Sequence, residues 1–161
     1  MKGYVQVYTG DGKGNATASF GLSLRAAGTG LKVFIAQFIK LEEGSEIEAL
    51  KRFDDLITIE QFEPNRLIID KPSSSDIKAA QKGLEKVKEI LSSATHDIVI
   101  MEEANVAVKL GLFSVEDLLD IMAAKPKNVE LVITGRGADS RIIEQADLVT
   151  EMKEIKHYSE T

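Results

Sequence analysis

Apolar and polar residues follow two different periods along this chain. Residues 4–8 alternate around Val5 and Val7, which predicts a strand. From Thr17 onward the spacing is helical. Phe20, Leu24 and Ala27 fall on one stripe and Ala18, Leu22 and Ala26 on another, so a helix packed on both sides is expected. Gly21 is expected to permit close packing there, and Gly28 and Gly30 to end the helix. Residues 33–36 are a continuous apolar run, as in a strand covered on both faces, with Gln37 and Lys40 near its end. Residues 41–55 are charged and read as helical, with Ile47, Leu50 and Phe53 turned inward. Residues 56–62 form a strand around Ile57 and Ile59. Residues 63–76, with Pro64, Pro72 and the serines at 73–75, read as a loop holding a short extended piece at 67–69.

The second half repeats the alternation. Ile77, Ala80, Leu84, Val87 and Leu91 step by three and four and predict an amphipathic helix of about four turns. Residues 97–101 are a buried strand followed at once by Glu102 and Glu103. Residues 115–124 are a helix, with Val115, Leu118, Leu119 and Met122 inward and Pro126 beyond it. Residues 129–134 are another buried strand, followed by TGRG. Ile142, Ile143 and Ala146 suggest a short helix, and 148–152 a last strand. There is no internal repeat. Strands alternating with helices predict one α/β domain over 1–161, an open and mostly parallel sheet with helices on both faces.

The candidate chemistry sits between the first strand and the first helix. Gly10, Gly12 and Gly14 punctuate the turn TGDGKG, and a strand, a glycine-rich turn and a helix in that order make a phosphate cradle. Against the phosphate-loop pattern G-x-x-x-x-G-K-[ST], Gly14 takes the second glycine and Thr9 stands at the first. Asn15 occupies the lysine position and Ala16 the hydroxyl position, while Lys13 remains inside the loop. A plain glycine turn joining strand to helix is the other reading. Glu102 and Glu103, directly after an apolar strand, have the form of a magnesium-binding strand end. The alternative is acids placed at a helix start. Arg136, between Gly135 and Gly137, suits a bidentate phosphate contact, or is a surface arginine in a turn. Arg25 reads as structural or solvent-facing. His96 and His157 lack metal or triad spacing, so neither is expected to be catalytic. The loop, Gln37, the two glutamates and residues 134–137 all follow strands, so one crevice at the C-terminal edge of the sheet is expected to collect them.

Composition narrows the function classes. The 161 residues suit one domain with a sizeable core, at 43% apolar and 29% charged. A net charge of −6 argues against non-specific nucleic-acid or anionic-membrane binding. The absence of cysteine excludes disulfides, thiolate metal sites and cysteine nucleophiles. No signal peptide or long apolar run is visible, so a cytoplasmic protein is expected.

Taken together, TGDGKG at 9–14, LRAAGTGLKV at 24–33, QFIK at 37–40, NVAVKLGL at 105–112, VITGRGA at 132–138 and ADLVTEMKEIKH at 146–157 resemble the P-loop type of ATP:corrinoid (cob(I)alamin or cob(I)yrinic acid a,c-diamide) adenosyltransferases, in the family's order. The resemblance implies a P-loop NTPase-like fold and transfer of the 5′-deoxyadenosyl group of ATP to the cobalt of a reduced corrinoid. Triphosphate is released, in cobalamin biosynthesis or salvage. The corrinoid, as substrate, supplies the nucleophile, so no general base is expected. By carry-over Gly10, Asp11, Gly12, Lys13, Gly14, Asn15, Ala16 and Thr17 bind the nucleotide with Arg25 and Arg136, Glu103 serves Mg2+, and a homodimer is expected. The departures are Asn15 and Ala16 for the family's lysine and threonine, Glu102-Glu103 for its Asp-Glu, and no aromatic residue at 70–76. The chain also begins at its first strand, without the family's N-terminal arm, and ends at HYSET, without its longer tail. A non-catalytic nucleotide- or corrinoid-binding paralogue is therefore the alternative.

Overall fold

A computed structural model describes residues 2–39, 44–62, 68 and 71–158. Six strands, β1 Val5–Thr9, β2 Val33–Gln37, β3 Ile57–Gln61, β4 Ile98–Glu102, β5 Glu130–Thr134 and β6 Leu148–Glu151, form one sheet in the order β3-β2-β4-β5-β1-β6. Every pairing is parallel. The helices are α1 Asn15–Ala27, α2 Ser45–Leu50, α3 Ser74–Ser93, α4 Ala104–Lys109, α5 Val115–Ala124 and α6 Ser140–Gln145, with a 3-10 turn at Lys51–Phe53.

The middles of β2, β4 and β5, residues 33–36, 98–101 and 131–133, are wholly apolar because both faces of the sheet are covered. Val33, Ile35, Ile98, Ile100 and Val132 face α1 and α2 and pack with Phe20, Ala26, Ile47 and Leu50. Val7, Phe34, Ala36, Val99, Met101, Leu131 and Ile133 face the other side and pack with Leu84, Val87, Leu118, Ile121 and Ile142 of α3, α5 and α6. A shift of one residue in any central strand would exchange these two sets, so the alternation holds the register. The edge strand β6 has no buried residue.

Several local expectations change in the folded chain. Helix α1 is not packed on both sides. Its buried face carries Ser19, Ser23, Ala26 and Ala27 together with Phe20, while Leu24 is 45% exposed. Ser19 Oγ donates to the Ala16 carbonyl and Ser23 Oγ to the Ser19 carbonyl, both at 3.0 Å. The hydroxyls are satisfied within the helix, so small polar side chains can lie against the sheet. Gly21 lies on the open side, with no atom within 4 Å of where a Cβ would stand, so it mediates no close packing. Phe53 is exposed rather than inward, because the helix expected over 41–55 ends at Leu50 and passes into the 3-10 turn. The serines at 73–75 are not loop. Ser73 caps α3, accepting from the Asp76 N–H while Asp76 accepts from the Ser73 N–H, a capping box. Ile77 and Ile143 are exposed on α3 and α6. Helix α4 is an additional element. Lys40 and the expected extended piece at 67–69, apart from Ile68, lie outside the described residues. No helix among the described residues is long and apolar enough to cross a membrane.

Candidate functional site

The loop from Gly10 to Gly14 leaves the C-terminal end of β1 and enters α1. Gly14 is the N-cap of α1 at φ 146°, a conformation open to glycine and strained for other residues. The cap residue makes no side-chain bond and the first turn holds no acid. This contrasts with α3 and α5, each closed by a serine–aspartate capping box. The uncapped first turn of α1 keeps N–H groups and the positive end of the helix dipole for an anion. Lys13 and Thr17 are exposed beside it. They stand at one end of an open cleft of about 500 Å³ whose walls are Phe20 and Leu24 of α1 and Ala49 and Leu50 of α2.

Asn15 does not extend away from the loop. It is 6% exposed, and its Nδ2 donates to the Gly10 carbonyl at 3.2 Å, which ties the two ends of the loop together. Its Oδ1 has no hydrogen-bond partner among the described residues. Ala16 is half-buried in the first turn, and Asp11 is exposed in the loop.

The strand-end acids lie along the same edge. Glu102 ends β4, buried and in register with Gln37 of β2. Glu103 follows with φ 58°, an uncommon backbone state for a residue with a side chain. Its N–H donates to Thr134 Oγ1 at 3.0 Å. Burial pushes the Glu103 carboxyl above the usual range, and the charge of Arg136 pulls it partly back. Asn105, one residue into α4, is buried, and its Nδ2 donates to the Gly135 carbonyl at 3.1 Å. Asn105 Oδ1 has no partner either. The two bonds from Glu103 and Asn105 stitch the turn after β4 to the turn after β5. The turn after β5 is also joined to β1 through Gly135 N–H to the Tyr8 carbonyl and Ala138 N–H to Thr9 Oγ1, both at 3.1 Å.

The 10–17 loop, Gln37, Glu103 and Arg136 thus follow strands that end at the same, C-terminal edge of the sheet. Arg25 is not gathered with them. It lies ten residues along α1 from Asn15, about 15 Å at the rise of an α-helix. There its charge reaches the Tyr8 phenol, whose pKa is raised by burial and by Glu130 and lowered by Arg25. His96 precedes β4 at the opposite edge, with its ring edge-on to Phe34 at 5.7 Å. His157 stacks on Tyr158 in the tail. Among the described residues no three His, Cys, Asp or Glu side chains converge as a ready metal cage. A cation at Glu103 would therefore take its remaining ligands from a bound phosphate chain and water, as magnesium ordinarily does.

Sequence reasoning passed over Asn105 and Met152 as site residues. Asn105 sits in NVAVKLGL, where an amide one residue after the strand-end acids was the available signal. Met152, whose backbone meets the loop as described below, carries no local signal.

An all-parallel sheet, a glycine loop running into an uncapped helix and acids at the end of β4, one strand removed from β1, define a P-loop NTPase-like α/β protein. The comparisons narrow the class further. The family model described as ATP:corrinoid adenosyltransferase BtuR/CobO/CobP matches residues 1–161. A corrinoid adenosyltransferase of Pseudomonas aeruginosa is 32% identical over 97% of this chain and 77% of its own length. One from Sinorhizobium is 33% identical over 97% and 74%, and one from Escherichia coli K12 is 31% identical over 97% and 79%. The chain belongs to the ATP:corrinoid adenosyltransferase family.

Proposed function

We propose that this chain, as one domain over 1–161, transfers the 5′-deoxyadenosyl group of ATP to the cobalt of a reduced corrinoid. The cobalt(I) lone pair forms the bond to C5′, the bond from C5′ to the triphosphate oxygen breaks, and the triphosphate leaves with the electron pair. No proton moves in this step, so it calls for no general base. The protein's part is to orient the nucleotide and to offset the charge of the leaving triphosphate. The observation that carries the reading is the uncapped N-terminus of α1 behind the 10–14 loop, in a chain that matches the family over its whole length.

In this reading the first-turn N–H groups of α1 and Lys13 hold the triphosphate, and Arg136 reaches it from the neighbouring turn. Asp11, Gly10, Gly12 and Gly14 shape the loop, and Thr17 lines the open cleft beside it. Glu103 is the residue that would hold Mg2+, which would screen the phosphate charge. Its partly desolvated carboxylate suits a cation. Arg25 has no place in this site within one chain. The corrinoid and ATP are the substrates, the working unit is a homodimer, and the compartment is the cytoplasm.

A second reading, a paralogue that binds without turnover, is favoured by Asn15. That residue takes the lysine position of the phosphate-loop pattern and turns its amide onto Gly10, and Ala16 offers no hydroxyl for a metal. Anaerobic incubation with ATP, Mg2+ and a cob(I) corrinoid separates the two. Appearance of the adenosylated corrinoid in the visible spectrum is the expected result. ATP binding by calorimetry with no product would establish the paralogue instead, and no binding of ATP at millimolar concentration would defeat both. Light scattering that finds only monomer would remove the homodimer.

A further inference from the structure

We propose that Met152 is a positioning residue of the nucleotide loop, and that residues 152–154 are the support on which the loop takes its shape. The proposal rests on the reading of that loop as the triphosphate site.

Among the described residues strand β6 pairs only with β1. Beyond its end the chain continues along the loop that leaves β1. The Met152 N–H donates to the Thr9 carbonyl and the Gly12 N–H donates to the Met152 carbonyl, both at 2.7 Å. Two backbone bonds thus bracket the loop across about 140 residues of chain.

The glycines confirm how close this support lies. A Cβ on Gly12 would stand 2.6 Å from the Met152 carbonyl oxygen and 2.9 Å from Glu154 N. One on Gly10 would stand 2.5 Å from the same carbonyl oxygen, and one on Gly14 3.2 Å from Met152 Sδ. Backbone atoms cannot yield at such distances without moving the segment. Gly12 is therefore accounted for by the backbone of residues 152–154, while Gly10 and Gly14 are also required by their positive φ. One consequence concerns the ligand. The Gly12 N–H is engaged by Met152, so the anion-binding donors are the later ones, at the first turn of α1. The support itself is lightly held, since all four residues of β6 are exposed.

The test uses two substitutions in the full chain that approach the same contact from opposite sides. Gly12→Ala is informative because Gly12 is not among the positive-φ residues, so the obstacle to alanine is the 152–154 backbone. Met152→Pro removes the N–H that reaches Thr9. Each is expected to weaken ATP binding about tenfold and to speed amide exchange at residues 10–14, with the corrinoid KM unchanged. The double variant is expected to be no worse than the poorer single variant, because each detaches the same 152–154 segment from the loop. An ATP Kd within about twofold of the unaltered protein in both single variants overturns the proposal, as do two effects that multiply. If the unaltered protein binds no ATP, the nucleotide reading has failed and exchange alone decides. Unchanged exchange at Gly12 and Gly14 in Met152→Pro then overturns the support.

Discussion

At the N-terminal edge of the sheet, Lys125 Nζ donates to the carbonyls of Gly3, Pro126 and Val129 at 3.0, 3.1 and 2.9 Å. Beside it Asp147 accepts the Val5 N–H, Glu130 the Tyr4 N–H and Asp97 the Lys32 N–H, at 2.8, 2.7 and 2.8 Å. Charged side chains there close off the backbone groups that the strands leave open. At the C-terminal edge of the same strands, Asn15 and Asn105 each keep a buried amide oxygen without a partner, Glu103 holds a positive φ, and α1 begins with no cap. One edge fixes the strands in register. The other retains polar capacity that this chain alone does not use. Buried polar atoms are ordinarily paired, so two unpartnered amide oxygens at one edge are what the proposed nucleotide site would have to use. The two amides also teach restraint about motifs. Each uses its Nδ2 to hold a turn, so part of the site's polar chemistry is architectural.

The contrast can be broken most forcefully at the loop. Asn15→Lys with Ala16→Thr puts a charge and a hydroxyl back into the open edge. If the corrinoid pocket is intact, ATP-dependent adenosylation should rise by about 10²-fold or more, since one preorganised group facing transition-state charge is typically worth about 2.7–4 kcal/mol. Initial rates under anaerobic conditions measure it. Tighter ATP binding without product would place the defect in the corrinoid pocket instead. Ordinary enzyme rates in the unaltered chain would show that Lys13 and the helix end suffice.

The closed edge should respond in stability and not in turnover. Lys125→Met leaves carbonyls without their donor and is expected to cost about 1–3 kcal/mol in denaturant unfolding, with kcat unchanged. A loss of kcat beyond what unfolding explains would contradict the division between the edges. Asn105→Ala should cost about 1 kcal/mol, because its bond to Gly135 is lost along with an already unpartnered oxygen. It should also raise the ATP KM by loosening the turn that carries Arg136. A KM that does not move would confine Asn105 to structure.

The smallest expected effect is the pH dependence of Glu103. Its folded pKa is raised by burial above the ordinary 4.5, so the folded chain holds this proton more firmly than the unfolded one. The associated stability is present below pH 4.5 and is lost as pH rises through the folded pKa. Glu103→Gln should therefore melt slightly higher than the unaltered chain at neutral pH, by less than the about 2–4 °C that 1 kcal/mol brings at this size, with the gap closing in acid. Added Mg2+ with ATP should narrow the gap at neutral pH by stabilising the carboxylate. A gap that widens in acid would reverse the assignment of burial as the dominant cause.

Much of this molecule is legible without its structure. The runs at 33–36, 98–101 and 131–133 are apolar at every position because each strand is covered on both faces, and that pattern implies a parallel sheet with two helical layers. The step of three and four in α3 and α5 is likewise local chemistry. The capping boxes at Ser73 and Ser114 carry a local Ser-x-x-Asp signal that was passed over at both positions, at the first because it sits in a serine run. The glycines of the loop, the acids after β4 and the arginine after β5 mark strand ends, and strand ends of a parallel sheet share one edge whatever the details. What the tertiary structure alone decided depends on atoms far apart in the chain. Only the folded arrangement turns Leu24 outward and Ser19 and Ser23 inward, because the helix approaches the sheet on its small side. Only contact across the molecule gives Gly12 its neighbour Met152, and only the geometry of two turns commits Asn15 and Asn105 to carbonyls. Local periodicity sets which residues must be buried. The choice of partner for a polar group is a long-range packing outcome, and no spacing along the chain encodes it.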